Sequence, residues 1–154
     1  MSRHSRFAAF SLIELLVTLA VLAITLAIAV PGFTQLVRSQ QVQGAAQELY
    51  ALLLYTRSEA ASRGRSVTLK PAQGSTWRGT LTVTAGSTSL RQVTLRDAVV
   101  LASAANSIVF RADGRLGGNA TCISICPAVD GATCQRIRIL ASGQIALPAS
   151  GGCS

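Results

Sequence analysis

The feature that most constrains this chain is an apolar run of 21 residues, 10–30, that contains a single charged side chain, Glu14. An α-helix of that length would extend about 31 Å, which matches the hydrocarbon core of a bilayer. Arg3 and Arg6 precede the run and no acid does, so this flank should stay in the cytoplasm while the rest of the chain faces the other side. The run therefore predicts one membrane-spanning helix.

Two other interpretations of the apolar run are open. Ala27-Ile28-Ala29 fits the cleavage site of an ordinary secretory signal peptide, but the internal charge and the length of the run are unusual for one. A plain membrane anchor leaves Glu14 unexplained, because a carboxylate in hydrocarbon costs a few kcal/mol and is usually functional. Its place near the cytoplasmic end would also allow the carboxylate to extend to the headgroups.

The segment FSLIELL, residues 10–16, follows a short basic leader and precedes Pro31. It resembles the processing site of type IV pilins and type II secretion pseudopilins. The resemblance implies that residues 1–9 are a prepilin leader peptide, that a prepilin peptidase cuts between Ala9 and Phe10, and that Phe10 is then N-methylated. The family prefers Gly before the cut, and we expect the small Ala9 to be accepted at a slower rate.

The resemblance also assigns an assembly role to Glu14 and Pro31, which stand at the family's spacing from the new N-terminus. A buried carboxylate needs a partner. After cleavage, the nearest cation is expected to be the α-amino group of Phe10 in a neighbouring subunit. That pairing would set the register between subunits.

Residues 31–64 are predicted to continue the helix as an amphipathic segment. Pro31 removes a backbone donor and disfavours helical geometry at Val30, so we expect a kink there rather than a stop. Gly64 is the expected C-terminal cap. Apolar residues at i, i+3, i+4 spacing predict a face that packs on the rest of the chain: Val42, Ala45, Ala46, Leu49, Leu52, Leu53 and Ala60.

From residue 65 onward the pattern changes to short β-branched or alternating runs separated by turn residues. Strands are predicted at 66–70, 80–84, 90–95, 107–111, 121–125 and 136–140. The predicted fold class is therefore α+β. A long N-terminal helix, transmembrane in 10–30 and amphipathic in 31–64, would pack on a small antiparallel β-rich periplasmic head formed by residues 65–154. The resemblance to pilins implies the same arrangement.

The four cysteines, Cys122, Cys126, Cys134 and Cys153, all lie in the β-rich region. An even number in a small exported domain predicts two disulfides. A hairpin centred near Asp130 would place Cys126 opposite Cys134 and leave Cys122 to pair with Cys153, although three pairings are open. A zinc site fits less well because no histidine lies near the cysteines.

The chain shows no pattern typical of a catalytic site. Its one histidine, His4, lies in the predicted leader, and no serine stands in a G-x-S-x-G motif. The glycine-rich stretch 114–118 lacks the Lys-Ser/Thr of a phosphate-binding loop. We therefore expect a structural protein rather than an enzyme, with no catalytic residue, metal or cofactor.

Two further stretches, ELYALLLYTRSEAASR at 48–63 and IVFRADGR at 108–115, resemble FimT/FimU-type minor pilins and H-type type II secretion pseudopilins, the GspH/FimT family. The resemblance implies a subunit at or near the tip of a type IV pilus that helps to initiate assembly, or alternatively a minor pseudopilin of type II secretion. The implied partners are other pilin or pseudopilin subunits, a prepilin peptidase and the bacterial inner membrane. A single-pass chain with a periplasmic head would then enter the pilus or pseudopilus.

A third hypothesis is a DNA-binding minor pilin in natural transformation. Net charge +8 favours anionic partners, and Arg136 and Arg138, two apart on a predicted strand, would share one face that Arg115 could join. Some FimT proteins are associated with DNA uptake through a G-R-x-R motif, whose arginines are replaced here by Gln144 and Ala146. The alternatives are a basic face exposed to solvent and a basic face that meets an acidic partner subunit.

Overall fold

The computed structural model describes residues 11–129 and 132–153. Backbone contacts divide the chain into two compact units, the first ending at Leu36 and the second beginning at Val37. Within the described residues, one helix precedes eight strands: α1 (Leu12–Arg63), β1 (Val67–Pro71), β2 (Thr80–Ala85), β3 (Thr88–Thr94), β4 (Val99–Ser103), β5 (Ile108–Phe110), β6 (Thr121–Pro127), β7 (Gln135–Ile139) and β8 (Ala149–Ser150).

The ends of α1 are set by local chemistry. Ser11 stands at the N-terminal cap position, and its carbonyl accepts a hydrogen bond from the Leu15 amide at 3.2 Å. At the other end, Gly64 has φ +61°. Its N–H donates to Ala61 O, and the N–H of Arg65 donates to Ala60 O, which together form a Schellman cap. The helix continues through position 31, so the proline there does not end it.

The strands form two antiparallel sheets. Sheet A has the order β3-β2-β1-β5, and sheet B has the order β4-β6-β7-β8. In sheet B, residues on β6 and β7 alternate strictly, so the isoleucines of both strands are buried and the residues between them face outward. This outward side is called the outer face of sheet B below.

One hydrophobic core joins the second half of α1 to both sheets. The helix contributes the face that its sequence spacing predicted, with buried Val42, Ala46, Leu49, Leu52, Leu53 and Ala60. Thr56 also lies on this face and is fully buried. Its hydroxyl donates to Leu52 O at 2.7 Å, so the polar atom is satisfied without a distant partner.

The predicted α+β fold class is confirmed. Each predicted strand overlaps an observed one, with ends that differ by up to two residues. Strands β4 and β8 were not predicted. The structure therefore contains a complete second sheet, B, of which the sequence indicated only the two central strands.

Candidate functional site

The N-terminal half of α1 presents apolar side chains to its surroundings over its whole circumference. The most apolar stretch of 18 residues has a mean hydropathy of 2.6 and none of it is buried. By length and composition, α1 is the one helix in the described part of the chain that could cross a membrane. Glu14 lies exposed in its first turn. The predicted cleavage residues Ala9 and Phe10 lie outside the described residues.

Two disulfides close the C-terminal part of sheet B. Cys126 pairs with Cys134 with a Cα–Cα distance of 4.3 Å, and Cys122 pairs with Cys153 at 5.9 Å. The β6–β7 register, which sets Ile125 opposite Gln135, places Cys126 and Cys134 directly across from each other. This is the pairing that the hairpin interpretation favoured, although Asp130 and Gly131 of the expected turn lie outside the described residues.

The arginines predicted to share a face are both on the outer face of sheet B. Arg136 and Arg138 stand opposite Ser124 and Cys122 on β6. Arg138 is exposed, whereas Arg136 is half-buried and donates to Gly152 O at 3.4 Å. In residues 11–129 and 132–153, no acidic side chain belongs to the strands of this sheet.

Arg115 lies elsewhere, on the turn that follows β5. The Arg111 N–H donates to Arg115 O at 2.9 Å, and the Arg115 N–H donates to the Asp113 carboxylate at 3.0 Å. This turn packs beside the turn that follows β7, because the Leu116 N–H donates to Ala141 O at 3.2 Å. Arg115 is thus near the end of the arginine-bearing strand but not on its outer face.

The contact between these two turns was not predicted from the sequence. Arg57 on α1 adds to it, since its Nε donates to Gly114 O at 3.0 Å. The helix, sheet A and sheet B therefore meet at one point. The turn dipeptide at 113–114 predicted a turn there, but no local signal identifies a partner almost thirty residues later in the chain.

The metal interpretation of the cysteines finds no geometric support in the part of the chain that the structure describes. All four cysteines are in disulfides, and the described residues contain no group of three His, Cys, Asp or Glu side chains arranged to hold an ion.

A membrane-length apolar helix that continues into a β-rich, disulfide-closed head is the architecture of a type IV pilin-like subunit. The comparisons with known proteins identify the family. Residues 45–143 match the family described as type II transport protein GspH, and residues 4–30 match the prokaryotic N-terminal methylation motif. The chain belongs to the GspH family and carries the methylation motif of pilin-like proteins.

Two solved structures have a similar fold. The crystal structure of the type IV minor pilin FimU from Pseudomonas aeruginosa strain PAO1 is 26% identical, with a TM-score of 0.62 over 70% of this chain and 88% of that one. The minor pseudopilin EpsH from the type II secretion system of Vibrio cholerae is 19% identical, with a TM-score of 0.54 over 70% of this chain and 95% of that one. Among curated proteins, none matches this chain significantly in sequence.

Proposed function

We propose that this chain is a minor type IV pilin, a structural subunit at or near the pilus tip that helps to initiate assembly. The observation that carries the proposal is the likeness to FimU, which exceeds the likeness to EpsH in both sequence identity and TM-score. The family is structural, which supports a non-enzymatic role. Other pilin subunits are its direct partners.

Maturation is proposed to begin at the inner membrane. The basic leader, residues 1–9, holds the N-terminus in the cytoplasm, where a prepilin peptidase cuts between Ala9 and Phe10 and the new N-terminus is methylated. The methylation-motif match over residues 4–30 supports this step. The head then faces the periplasm, an oxidising compartment in which its two disulfides persist.

Assembly is proposed to use the carboxylate of Glu14. Within hydrocarbon this charge is unfavourable by itself, and its exposed position in the first turn of α1 leaves it accessible to another subunit. The free α-amino group of Phe10 in a neighbouring subunit would neutralise it. The pairing would favour one axial register and would draw the subunit out of the membrane into the filament.

A gene deletion in the bacterium that encodes the chain tests this role against the alternative, a type II secretion pseudopilin. The deletion should abolish surface pili, leave protein secretion intact, and be complemented by the wild-type gene. Immunogold label should then lie at filament ends. Loss of secretion with normal pili would support the pseudopilin function instead, and a strain normal in both would refute the proposal.

DNA binding is a second candidate function, supported by the position of Arg136 and Arg138 on a face without acidic strand residues among those described. Phosphate contacts by these arginines would give binding that weakens steeply with salt. A gel shift with the full chain in neutral detergent, over a salt series, tests it. Binding that persists after both arginines are changed to alanine would remove them from the site.

A further inference from the structure

The outer face of sheet B carries a groove of about 420 Å³. Arg138 is the one residue of its lining that the DNA-binding hypothesis also uses. It crosses the sheet near the ends of β4, β6 and β7, and its lining includes Ala102, Thr121, Ser124, Arg138 and Cys153. A second groove of about 310 Å³ shares Ala104, Ala120 and Thr121 with the first. The two grooves are therefore neighbours on the surface of the head.

Most of the residues that line the groove have small side chains, which leaves room for a polypeptide backbone. Ala102 is exposed, and the Ser124 hydroxyl beside it donates to the Ala102 carbonyl at 3.3 Å. The Cys122–Cys153 disulfide holds the C-terminal tail in place, so that Cys153 forms part of the lining. The lining is mostly apolar, with hydroxyl groups from Ser and Thr.

Arg138 is the single charged residue among the described lining residues. Its side chain is exposed, and it stands opposite Cys122 in the β6–β7 register. A guanidinium beside a small-residue floor is suited to a carboxylate, which it can bind through two parallel hydrogen bonds.

The charge of the head favours a partner other than a second copy of this chain. Residues 65–154 contain nine basic residues but only three acidic ones. Two such heads placed with their outer faces together would repel each other, whereas an acidic surface would be attracted. The charge of the head therefore favours an acidic partner in the groove.

The geometry favours an extended protein segment over duplex DNA. Strong binding to phosphates needs several cations, but the described groove lining contains one cationic side chain, that of Arg138, and Arg136 is not part of it. A concave groove with a mostly apolar lining fits a peptide chain better than it fits duplex DNA, which is rigid and uniformly charged. We propose that the groove receives an extended acidic segment of a different pilin-like subunit, whose carboxylate pairs with Arg138. This inference rests on the proposed role as a filament subunit.

A binding measurement with the full chain in neutral detergent tests the groove itself. The probe is a fluorescein-labelled peptide of alternating Ala and Glu, with an Ala-Gln peptide as its uncharged control. Arg138→Gln should raise the Kd of the acidic peptide by about tenfold or more. Arg78→Gln, which changes an exposed arginine on the β1–β2 loop, should leave the Kd unchanged. Equal losses in the two variants would overturn the proposal, as would tighter, Arg138-dependent binding of a short DNA duplex.

Photo-cross-linking in cells identifies the occupant. A photoreactive residue at Ala102 should form an adduct with an acidic stretch of another pilin-like subunit, and Arg138→Glu should abolish that adduct. The same group at Gln92, exposed on β3 of sheet A, should not form it. Two outcomes would refute the proposed binding of an acidic segment in the groove without affecting the proposed filament role. One is an adduct with a second copy of this chain. The other is the absence of an adduct with any subunit, in a strain whose pili depend on this gene. Normal pili in the deletion strain would instead refute the role as a pilus subunit, on which the groove proposal rests.

Discussion

A side chain at Gly143 would collide with the backbone of Gly114, because a Cβ built on Gly143 lies 1.9 Å from the Gly114 carbonyl oxygen. Both glycines are buried and both have positive φ, +84° and +75°. The turn at Gly114 follows β5 of sheet A, and the turn at Gly143 follows β7 of sheet B. Their contact therefore fixes the two sheets to each other at a distance that admits no side chain.

Gly143→Ala should destabilise the head strongly. The substitution combines a left-handed backbone conformation, unfavourable by about 1 kcal/mol or more for alanine, with a clash that only backbone movement can relieve. We expect a loss of at least about 2 kcal/mol in the free energy of unfolding. Trp77, the single tryptophan, is buried in the head and reports unfolding by its fluorescence. Gly118→Ala is the matched control, because a Cβ there meets nothing within 4 Å, and an equal loss in both variants would contradict the argument.

Arg57→Ala should weaken the same junction from the helix side. The variant removes the donor to the buried Gly114 carbonyl, which is expected to cost about 1 to 3 kcal/mol of stability. Arg63→Ala provides the comparison, since its ion pair with Glu59 lies at the surface and should contribute about 0 to 1 kcal/mol. Thermal unfolding followed through Trp77 measures both variants. A larger effect for the Arg63 variant would show that the Arg57 contact does not hold the junction.

The helical part of this fold could be predicted because its determinants are local. The i, i+3, i+4 spacing from Val42 to Ala60 defined the buried face, and Gly64 marked the end of α1. Thr56 was missed because its residue type predicts exposure, whereas the hydrogen bond to Leu52 O allows it to be buried. Burial of a hydroxyl is decided by a backbone partner that residue type does not reveal.

The parts of the fold that could not be predicted from the sequence depend on contacts between residues far apart in the chain. Strand β4 is a continuous apolar run without the alternation that identifies a strand, and it is recognisable only through its pairing with β6. Strand β8 has two residues, and it pairs with β7 in a tail that the Cys122–Cys153 disulfide holds. The groove is lined by residues of β4 and by Cys153, which follows β8. Arg136 and Arg138 could be assigned to one face because side chains alternate along a strand, but the hydrogen bond of Arg136 to Gly152 O could not be predicted.

The two disulfides should differ in their contribution to stability. The Cys122–Cys153 bond spans 31 residues and the Cys126–Cys134 bond spans 8, so the loss of loop-closure entropy in the unfolded chain predicts about 3.7 and about 2.5 kcal/mol. Replacing both cysteines of a pair with serine should therefore cost more for the longer loop. Unfolding of each double variant measures the order. Peptide mapping under non-reducing conditions checks the pairing, and a Cys122–Cys134 peptide would refute it.

Processing should produce a mature chain that begins at methylated Phe10. Mass spectrometry of the protein from cells with an active prepilin peptidase measures both the cut and the methyl group. Because the family prefers glycine before the cut, Ala9→Gly should increase the rate of cleavage in a pulse-chase experiment. An intact N-terminus at Met1 would contradict the assignment, and a cut after Ala29 would indicate an ordinary signal peptide instead.

Glu14→Ala should prevent filament incorporation while leaving the head folded. The variant removes the only charge within the apolar run 10–30, so membrane insertion should not suffer, but the α-amino group of the neighbouring subunit would lose its partner. Immunoblots of sheared filaments should show incorporation reduced by more than about tenfold, with normal amounts in the membrane fraction. Glu48→Ala, at an exposed position on the second half of α1, should incorporate normally. If the Glu14 variant enters filaments as well as the Glu48 variant does, the carboxylate has no role in subunit register, and extension to the headgroups becomes the better account of its position.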